Sequence, residues 1–511
     1  MSGHQSDHDP ESSQGAPGTK RDPEDQRRTL YVVQMERREV TEMLEKTRME
    51  ELDDLIRLLE GSGLGRGMEM LDQIACLLLI RDLERKADGT LCRDIFPEEI
   101  SAGGRRVPGA HLRWSVFRMF PEEEQYRTVR DWAFPFMKGI LESRDPSCMR
   151  GAVFKIAGPA LLARILGLLD ELEGLTKESF EYLLEKLCAG SGLCARVPAP
   201  VVQLMTGLTR PGPEDSICDP ACRIPELLLA AAEQCEKEGK RPAHILKGYD
   251  MDPVLTRVGN AYLNRCGTAA VSLSCLDSLS EQNTDRSCCS LILSVPPFRG
   301  MTDYDMVSPD LQKGFRSKRT ELLFPELFLR MLRPGGRCAC LVSPDVLSGS
   351  SRSHRALRKE IVEENRLEAV IGLPAGVFLP FTGIRTALLV FSRCRDAGDR
   401  TDFVWFFELE AVGMSLDGRR TLAGENGIPA VIRKFHCREQ EEDRDRSGKS
   451  FLVDREELAA NGYDLSFGRY RESPVPPADY EEAEKLLAEL KQMEKKVSAQ
   501  IRKLEKMLGK Q

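Results

Sequence analysis

The stretch from Ser287 to Phe298 combines residue types that could form a ligand-binding loop. It reads S-C-C-S-L-I-L-S-V-P-P-F, so a short apolar run stops at two consecutive prolines. Such a run is typical of a buried parallel strand, and Pro296 and Pro297 fix two φ angles before the aromatic Phe298. In α/β proteins, ligands bind at the carboxyl ends of the strands. The stretch therefore predicts either a ligand-binding loop or an ordinary strand followed by a proline turn.

Short apolar strands alternate with amphipathic helices on both sides of this stretch. This alternation predicts an α/β protein with a mostly parallel, doubly wound, Rossmann-like sheet. Besides the strand around Leu291, strands are predicted at residues 215–219, 244–249, 271–276, 337–342, 367–372 and 386–391. Helices are predicted at residues 226–238, 253–266, 321–332 and 352–364.

The remaining segments divide the chain into further predicted parts. Apolar residues at helical spacing predict an all-α amino-terminal domain, preceded by a polar tail that is expected to be disordered. A charged stretch that includes Gln440 to Arg446 follows the predicted sheet and is interpreted as a solvated loop. The predicted parts are residues 1–28 (disordered tail), 29–185 (helical domain), 186–395 (Rossmann-like domain), 396–472 (charged extension) and 473–511 (terminal helix).

The terminal helix carries apolar residues at alternating spacings of three and four. This pattern favours a coiled coil or packing in a helix bundle. The alternative is a helix that folds back on its own chain, although a solitary heptad helix usually needs a partner. The pattern is interrupted at Gln500 and consists of Ala483, Leu486, Leu490, Met493, Val497, Leu504 and Met507.

Composition narrows the class of protein. The 511 residues carry a formal net charge of −8, so any contact with nucleic acid must use local basic patches or a partner. The 16 cysteines include no C-x-x-C pair and there are only 6 histidines, which argues against a zinc site and for reduced thiols in the cytoplasm. No apolar run reaches about 18 residues, so neither a signal peptide nor a membrane span is predicted.

Two stretches stand out as motifs: Asp219 to Leu228, which reads D-P-A-C-R-I-P-E-L-L, and Val295 to Phe298, which reads V-P-P-F. They resemble the D-P-A-C-G-T-G-G-F-L and N-P-P-F loops of the modification (M) subunit of type I restriction–modification enzymes, which are DNA adenine N6-methyltransferases. Similar motifs include Gly192 to Pro198 (for F-x-T-P), Gly248 to Pro253, Leu276 to Leu279, Leu332 to Arg337, Leu373 to Phe378, Thr382 to Thr386, Asn461 to Leu465 and Arg469-Tyr470. The resemblance covers roughly residues 40 to 510.

The resemblance implies a cofactor, a site and partners. The cofactor would be S-adenosylmethionine. The catalytic loop would be Val295-Pro296-Pro297-Phe298, in which the family's Asn and a carbonyl accept the adenine amino protons and the aromatic ring stacks on the flipped base. The partners would be DNA, a specificity-type subunit docked on the terminal helix, and a restriction subunit or a second M-like chain. Cofactor binding would fall to Pro198, Asp219, Ala221, Cys222, Asp250 and Asp277, with Asp250 on a ribose hydroxyl and Asp277 on the adenine amino group.

The chain departs from the family pattern at three places in this site. Arg223, Pro225 and Glu226 occupy the glycine positions of the cofactor loop, Val295 replaces the catalytic Asn, and Ala195 to Pro198 lacks the aromatic residue and Thr of F-x-T-P. These departures predict an impaired methyltransferase that acts as a scaffold in a DNA-binding defence complex. The alternatives are an active enzyme with a divergent pocket and a stand-alone DNA-binding or nucleotide-binding module.

Three residue-level alternatives stay open. Asp250 and Asp277 are equally consistent with a helix N-cap or a turn. Phe298 suits either base stacking or the core. The basic stretches Lys313 to Arg319 and Arg352 to Lys359 could contact phosphates or form a solvated face.

Overall fold

The structure of the chain is a computed structural model. It describes residues 47–87, 95–102, 104–173, 175–188, 196–237, 239–400, 402–417, 421–438, 446–472 and 483–507. The predicted tail at residues 1–28 and Ala195 lie outside these ranges, as does most of the predicted loop from Gln440 to Arg446.

The described residues form seventeen α-helices and thirteen β-strands, apart from short 3₁₀ and π turns. The helices are α1 (of which 47–60 is described), α2 (Gly67–Ala87), α3 (Trp114–Phe117), α4 (Glu122–Thr128), α5 (Phe134–Arg144), α6 (Pro159–Glu171), α7 (Lys177–Cys188), α8 (Ala199–Thr209), α9 (Glu226–Lys237), α10 (Pro253–Cys266), α11 (Thr320–Met331), α12 (Pro344–Ser348), α13 (Arg352–Lys359), α14 (Ile428–His436), α15 (Arg455–Ala460), α16 (Phe467–Tyr470) and α17 (Ala483–Met507). The strands are β1 (Glu99–Ala102), β2 (Arg105–Pro108), β3 (Ile217–Asp219), β4 (Leu246–Asp250), β5 (Val271–Cys275), β6 (Cys289–Ser294), β7 (Leu332–Val342), β8 (Arg366–Gly372), β9 (Ala387–Ser392), β10 (Phe403–Glu408), β11 (Val412–Met414), β12 (Leu422–Asn426) and β13 (Ser450–Asp454).

A nine-stranded sheet dominates the fold and confirms the predicted doubly wound α/β class. Its strand order is β13-β10-β8-β9-β7-β6-β3-β4-β5. Seven strands run in one direction, whereas β9 and β13 are antiparallel to their neighbours. From β3 the chain winds outward through β4 and β5, and then returns to place β6 and β7 on the other side of β3. This reversal leaves a crevice beyond the carboxyl ends of β3 and β6, where ligands bind in such sheets.

Two features of the sheet differ from the sequence expectation. The charged extension contributes β10 and β13 to the sheet, and Trp405 and Phe406 of β10 are fully buried. The strand predicted at residues 337–342 begins earlier, at Leu332, and Arg333 to Gly336 form a bulge inside β7, because β6 pairs with Leu332 and then with Arg337. In the charged extension, the surrounding polar residues hid a strand whose apolar residues face the core.

The amino-terminal part is helical except for one hairpin that the all-α prediction missed. Strands β1 and β2 pair antiparallel, from Glu99 opposite Pro108 to Ala102 opposite Arg105. Around this hairpin the helices bury a core that is continuous with one face of the large sheet. Helix α2 packs along α10, and the buried guanidinium of Arg257 donates to both carboxylate oxygens of Asp72 at 2.7 and 3.1 Å. The amino-terminal helices are therefore packed firmly against the sheet domain.

The predicted terminal helix is present as α17. Its exposed apolar side chains form one stripe, with Leu490, Met493 and Val497 between 55% and 67% exposed. Ile501, also exposed, continues the stripe past the interruption at Gln500. Within the described residues, no helix is both long enough and apolar enough to cross a membrane.

Candidate cofactor and catalytic site

The predicted site residues meet at one edge of the sheet. Asp219 ends β3, Asp250 ends β4, and Val295 follows β6 directly. Asp277 lies two residues beyond the end of β5. Because these strands are parallel neighbours, their carboxyl ends surround the crevice at the topological reversal.

Asp219 is buried and links two strands. Its Oδ1 accepts hydrogen bonds from the Ser294 hydroxyl at 2.7 Å and from the Ala221 amide at 3.1 Å. Burial raises the pKa of Asp219 to about 7, although both hydrogen bonds favour the charged form. Its side chain therefore links the carboxyl ends of β3 and β6 at the base of the crevice.

The other two acidic residues adopt turn geometry. Asp250 accepts the Asp252 amide on Oδ1 at 2.8 Å and the Arg223 amide on Oδ2 at 3.0 Å. Asp277 accepts the Leu279 amide at 3.0 Å. The N-cap of α10 is Asp252, which accepts from the amides of Val254 and Leu255. The turn alternative therefore describes the contacts of both Asp250 and Asp277, and Asp250 also ties the cofactor loop to β4.

Cys222 fills space beneath the cofactor loop. Its side chain is buried, and its amide donates to the Tyr249 carbonyl at 2.9 Å. A Cβ at Gly248 would lie 2.7 Å from the Cys222 sulfur, so β4 requires glycine there. Burial raises the pKa of the Cys222 thiol well above its ordinary value, which leaves the thiol protonated and unreactive.

Arg223 crosses the crevice from the cofactor loop to the catalytic loop. Its Nη2 donates to the Val295 carbonyl oxygen at 2.7 Å. Its φ of +53° lies in the left-handed region that favours glycine. The loop thus keeps a glycine conformation while carrying a long cationic side chain.

A second contact closes the loop on its other side. Arg196 forms an ion pair with the buried Glu226, whose other oxygen accepts the Val197 amide at 2.7 Å. Arg196 also lies 3.2 Å from a carboxylate oxygen of Glu181. Burial opposes the charge on Arg196, but the Glu226 carboxylate outweighs it and raises the pKa of the guanidinium.

Arg196 and Glu226 thus pair two of the three places where the chain departs from the family. Sequence reasoning missed this pairing, although the opposite charges of Arg196 and Glu226 were a visible signal. Pro198, a predicted cofactor contact, is buried and serves as the N-cap of α8.

The catalytic loop is buried at its start and accessible at its end. Val295 and Pro296 are buried, Pro297 is exposed and Phe298 is half-buried. The Phe298 ring contacts the buried Phe378 edge-on, with ring centroids 5.2 Å apart and planes at 73°. This ring is therefore anchored in the core on one side, and its remaining surface is accessible.

The cavity nearest to this site does not extend into the crevice between the cofactor loop and the catalytic loop. A cavity of about 930 Å³ lies along β5 and α10, lined by residues such as Cys148, Asn264 and Ser274. Neither Arg223 nor Val295 lines it. The described residues contain no group of three or more His, Cys, Asp or Glu side chains placed to hold a metal ion.

Comparisons with known proteins identify the family to which this chain is similar. The profile of the N-6 DNA methylase family matches residues 175–476, more than half of the chain. The EcoEI type I restriction enzyme methylase subunit of Escherichia coli is 27% identical over 322 residues, covering 55% of this chain and 61% of the relative. The MjaIX methylase subunit of Methanocaldococcus jannaschii is 24% identical, covering 50% of this chain and 48% of the relative. The chain thus spans about half to three-fifths of the lengths of these relatives.

Solved structures show the same fold over most of the chain. One chain comes from a structural study of complex assembly and conformational transition of the type I R-M system. It aligns with a TM-score of 0.66 at 20% identity, covering 91% of this chain and 99% of the other. The modification subunit of a putative type I restriction enzyme from Vibrio vulnificus YJ016 aligns with a TM-score of 0.60 at 18% identity, covering 85% and 98%. These findings confirm the resemblance predicted from the motifs, and the chain belongs to the N-6 DNA methylase family.

Proposed function

We propose that this chain is a modification-type subunit that keeps the DNA adenine N6-methyltransferase fold and acts without catalysis, as a scaffold in a DNA-binding defence complex. The observation that carries this proposal is the hydrogen bond from the Arg223 guanidinium to the Val295 carbonyl oxygen. It spans the space between the cofactor loop and the catalytic loop, which substrate and methyl donor would have to share.

The catalytic position lacks the side-chain acceptor that the family's Asn supplies to the reaction. Transfer to adenine N6 requires groups that accept the amino protons as the nitrogen attacks. The Val295 side chain offers no acceptor, and its carbonyl oxygen already accepts from Arg223. Losing one such positioned hydrogen bond typically lowers the rate by about 10²–10³-fold.

The residues of the cofactor loop do not fit S-adenosylmethionine. Its methyl-bearing sulfonium is cationic, and Arg223 brings a second positive charge to the same loop. Pro225 has no amide hydrogen to donate, and the buried Glu226 is committed to Arg196 and the Val197 amide. A loop that is closed by its own side chains has no need of a cofactor to complete its hydrogen bonding.

A second candidate function is an active adenine N6-methyltransferase with a divergent pocket. It is favoured by the accessible surface of Phe298, which could stack on a flipped base, and by the acidic strand ends at Asp250 and Asp277. In that case the Arg223 side chain would have to swing out of the crevice when the methyl donor binds.

Partners follow from the same proposal. The exposed stripe of α17 would dock a specificity-type subunit, and DNA would be held by the complex together with a restriction subunit or a second M-like chain. The reduced cysteines among the described residues suit a cytoplasmic assembly, and most of them are buried.

Calorimetric titration of the full chain with S-adenosylmethionine tests the proposal. We expect no binding tighter than about 1 mM, and micromolar binding would overturn it. Arg223→Gly should restore measurable binding, because it removes the guanidinium and suits the positive φ. Arg210→Gly is the matched control, since Arg210 also has a positive φ (+46°) but lies at the end of α8. Tritiated methyl incorporation into DNA, with a specificity-type subunit supplied, separates the two candidate functions.

A further inference from the structure

We infer that the free edge of β5 is a binding site for an extended segment of a partner protein, which adds to the large sheet as a further strand. Strand β5 is an outer strand of that sheet, and among the described strands it pairs only with β4. Addition of a peptide strand to a sheet edge is a recurring mode of recognition, because the main chain supplies the hydrogen bonds. The site lies outside the crevice, so it goes beyond the proposed function and does not depend on it.

Hydrogen bonding to β4 uses only alternate residues of β5. At the two ends of the pair, the Leu246 amide donates to the Ala270 carbonyl and the Leu276 amide donates to the Asp250 carbonyl, each at 2.8 Å. In a parallel pair this register turns the even-numbered residues of β5 towards β4. The amides and carbonyls at the odd-numbered positions from 271 to 275 therefore point to the free edge.

These outward backbone groups belong to buried residues beside a cavity. Val271, Leu273 and Cys275 are only 7%, 3% and 6% exposed, and all three line the cavity of about 930 Å³. The Leu273 carbonyl accepts the side-chain amide of Asn260 at 3.1 Å. Because buried backbone donors and acceptors normally have partners, the other outward groups favour a ligand that supplies a row of main-chain partners.

The edge lacks the features that usually prevent strand addition. Residues 267–276 read G-T-A-A-V-S-L-S-C-L and contain no charged residue and no proline. Natural sheets commonly protect an exposed edge with charged side chains or proline. The opposite outer strand, β13, follows this rule, since Lys449 precedes it, Asp454 ends it and Arg455 follows it. The two edges of the sheet therefore differ, and only β5 presents an uncharged strand.

The walls of the cavity select a single extended chain. They include Leu79 of α2, Leu141 of α5, Leu263 of α10 and Met149. A slot bounded by helices admits one added strand, which needs a spacing of about 4.8 Å from β5, but not the edge of a whole folded domain. Since side chains alternate across a strand, these apolar walls fit apolar residues at every second position of the occupant.

The charges of the cavity favour an acidic residue in the occupant. Asp82 and Arg257 are buried in ion pairs with other residues, and Asp145 accepts the amide and the hydroxyl of Ser147 at 2.9 and 2.6 Å. Arg144 also lines the cavity and is exposed. Within the described part of the chain, no carboxylate oxygen lies within 4.0 Å of its guanidinium. The partner segment thus has alternating apolar and polar residues, no proline in the paired stretch, and a carboxylate for Arg144.

The test begins with selection of random dodecapeptides, displayed on phage, against the full chain. Labelled synthetic copies of the enriched sequences are then titrated by fluorescence anisotropy. We expect enriched sequences with the alternating, acidic pattern and dissociation constants in the micromolar range. N-methylation of the peptide backbone at every second residue should abolish binding, whereas N-methylation at the intervening residues should not, because only alternate amides face β5. Failure to enrich such sequences, or a methylation scan without this period of two, would overturn the inference.

Two variants of the chain locate the site. Val271→Pro removes an outward amide at the first residue of β5, a position where an edge strand tolerates proline, and it leaves the bonds to β4 in place. It should weaken peptide binding about tenfold or more without lowering the unfolding midpoint. Arg144→Gln leaves the backbone intact and should weaken binding severalfold, so the test holds even if Val271→Pro folds poorly.

The matched control is Arg164→Gln, which removes an exposed charge from α6 and should leave the affinity unchanged. Equal losses in Arg144→Gln and Arg164→Gln would contradict the placement of the peptide. Light scattering on the wild-type chain tests the other occupant of such an edge. A dimer that Val271→Pro dissociates would assign the edge to a second copy and would overturn the inference.

Discussion

At the scale of single residues, the departures from the family pattern compensate one another. The cation at position 223 meets the carbonyl oxygen of Val295, and the cation at position 196 meets the buried carboxylate of Glu226. Glu226 is buried, and an unpaired buried charge costs several kcal/mol, so Glu226 without Arg196 would destabilise the loop. Together these two contacts give the charged side chains hydrogen-bonding partners within the protein. This is expected if the crevice was repacked as a unit, and not if family residues were lost at unconnected positions.

The contact between Arg223 and Val295 could not be predicted from the sequence, although both residues were identified. Arg223 and Val295 are 72 positions apart along the chain, and they meet only because the strand order reverses between β3 and β6. The motifs located the two loops, but which side chains fill the space between them depends on the detailed approach of β3 to β6. Local patterns carry no information about that approach.

Asp219 gives a prediction about pH. Its pKa is raised to about 7 by burial, so the folded state binds a proton that the unfolded state releases near pH 4. Wild-type stability should therefore fall as pH rises from about 4 to 7, and Asp219→Asn should lack this loss. The stability of the variant relative to wild type should rise by up to about 1.4 kcal/mol per pH unit. Urea midpoints measured between pH 5 and 7.5 check it.

Asp215→Asn is the control, because its pH dependence has the opposite sign and lies below the measured window, so its stability relative to wild type should be flat between pH 5 and 7.5. Burial disfavours the Asp215 carboxylate, but hydrogen bonds from Arg337 and Ser290 outweigh it and lower the pKa of this group. Wild type then keeps that contribution above the unfolded pKa and loses it as pH falls through the folded pKa. A relative stability of Asp219→Asn that is flat or falling across the window would contradict the account of its burial.

At the scale of elements, the alternation of strands and helices in the sequence predicted the sheet, whereas the charged composition of the extension concealed two of its strands, β10 and β13. Phe403 to Glu408 reads F-V-W-F-F-E, an apolar run inside a segment whose average is polar and charged. Its central residues are buried as β10, parallel to β8. Averaging over a long charged segment hid a short strand, and a window of about five residues would have found it.

Helix α17 carries the prediction at this scale. Leu490→Glu with Val497→Glu places two charges in the exposed apolar stripe. Because both side chains are already exposed, the unfolding midpoint of the isolated chain should stay the same. Association with a specificity-type subunit should fall by about tenfold or more, since a buried seam would have to desolvate the new carboxylates. Size-exclusion chromatography with light scattering on the mixed subunits measures it.

The opposite face of α17 supplies the control. Gln492→Glu with Ala499→Glu adds the same charge at the same seven-residue spacing, on the side away from the stripe. This variant should associate normally. If both pairs of substitutions weaken association equally, the stripe is not the docking surface. If the stripe variant unfolds earlier than wild type, the helix folds back on its own chain.

At the scale of the whole molecule, the amino-terminal helices and one face of the sheet share a single buried core. The sequence distinguished the two parts by their different periodicities, but periodicity does not report how tightly two parts pack. The contact between the two parts includes buried polar residues. Arg257 of α10 is 2% exposed and forms an ion pair with Asp72 of α2. Arg257 also donates to the Arg150 carbonyl at 2.9 Å. Burial opposes the charge of Arg257, but the hydrogen bonds to Asp72 outweigh it and raise its pKa.

Asp72→Ala should therefore destabilise both parts at once. Removing one partner of a buried ion pair typically costs about 3–5 kcal/mol, because the other charge is left without compensation. Two fluorescence reporters follow the parts separately: Trp405 lies in the sheet, whereas Trp114 and Trp132 lie among the amino-terminal helices. With the other tryptophans replaced by Phe, both reporters should show coincident urea transitions that shift together in Asp72→Ala. Asp54→Ala, which breaks an exposed ion pair with Arg57, should shift neither. A shift seen only by the amino-terminal reporters would mean that the two parts unfold independently despite their shared core.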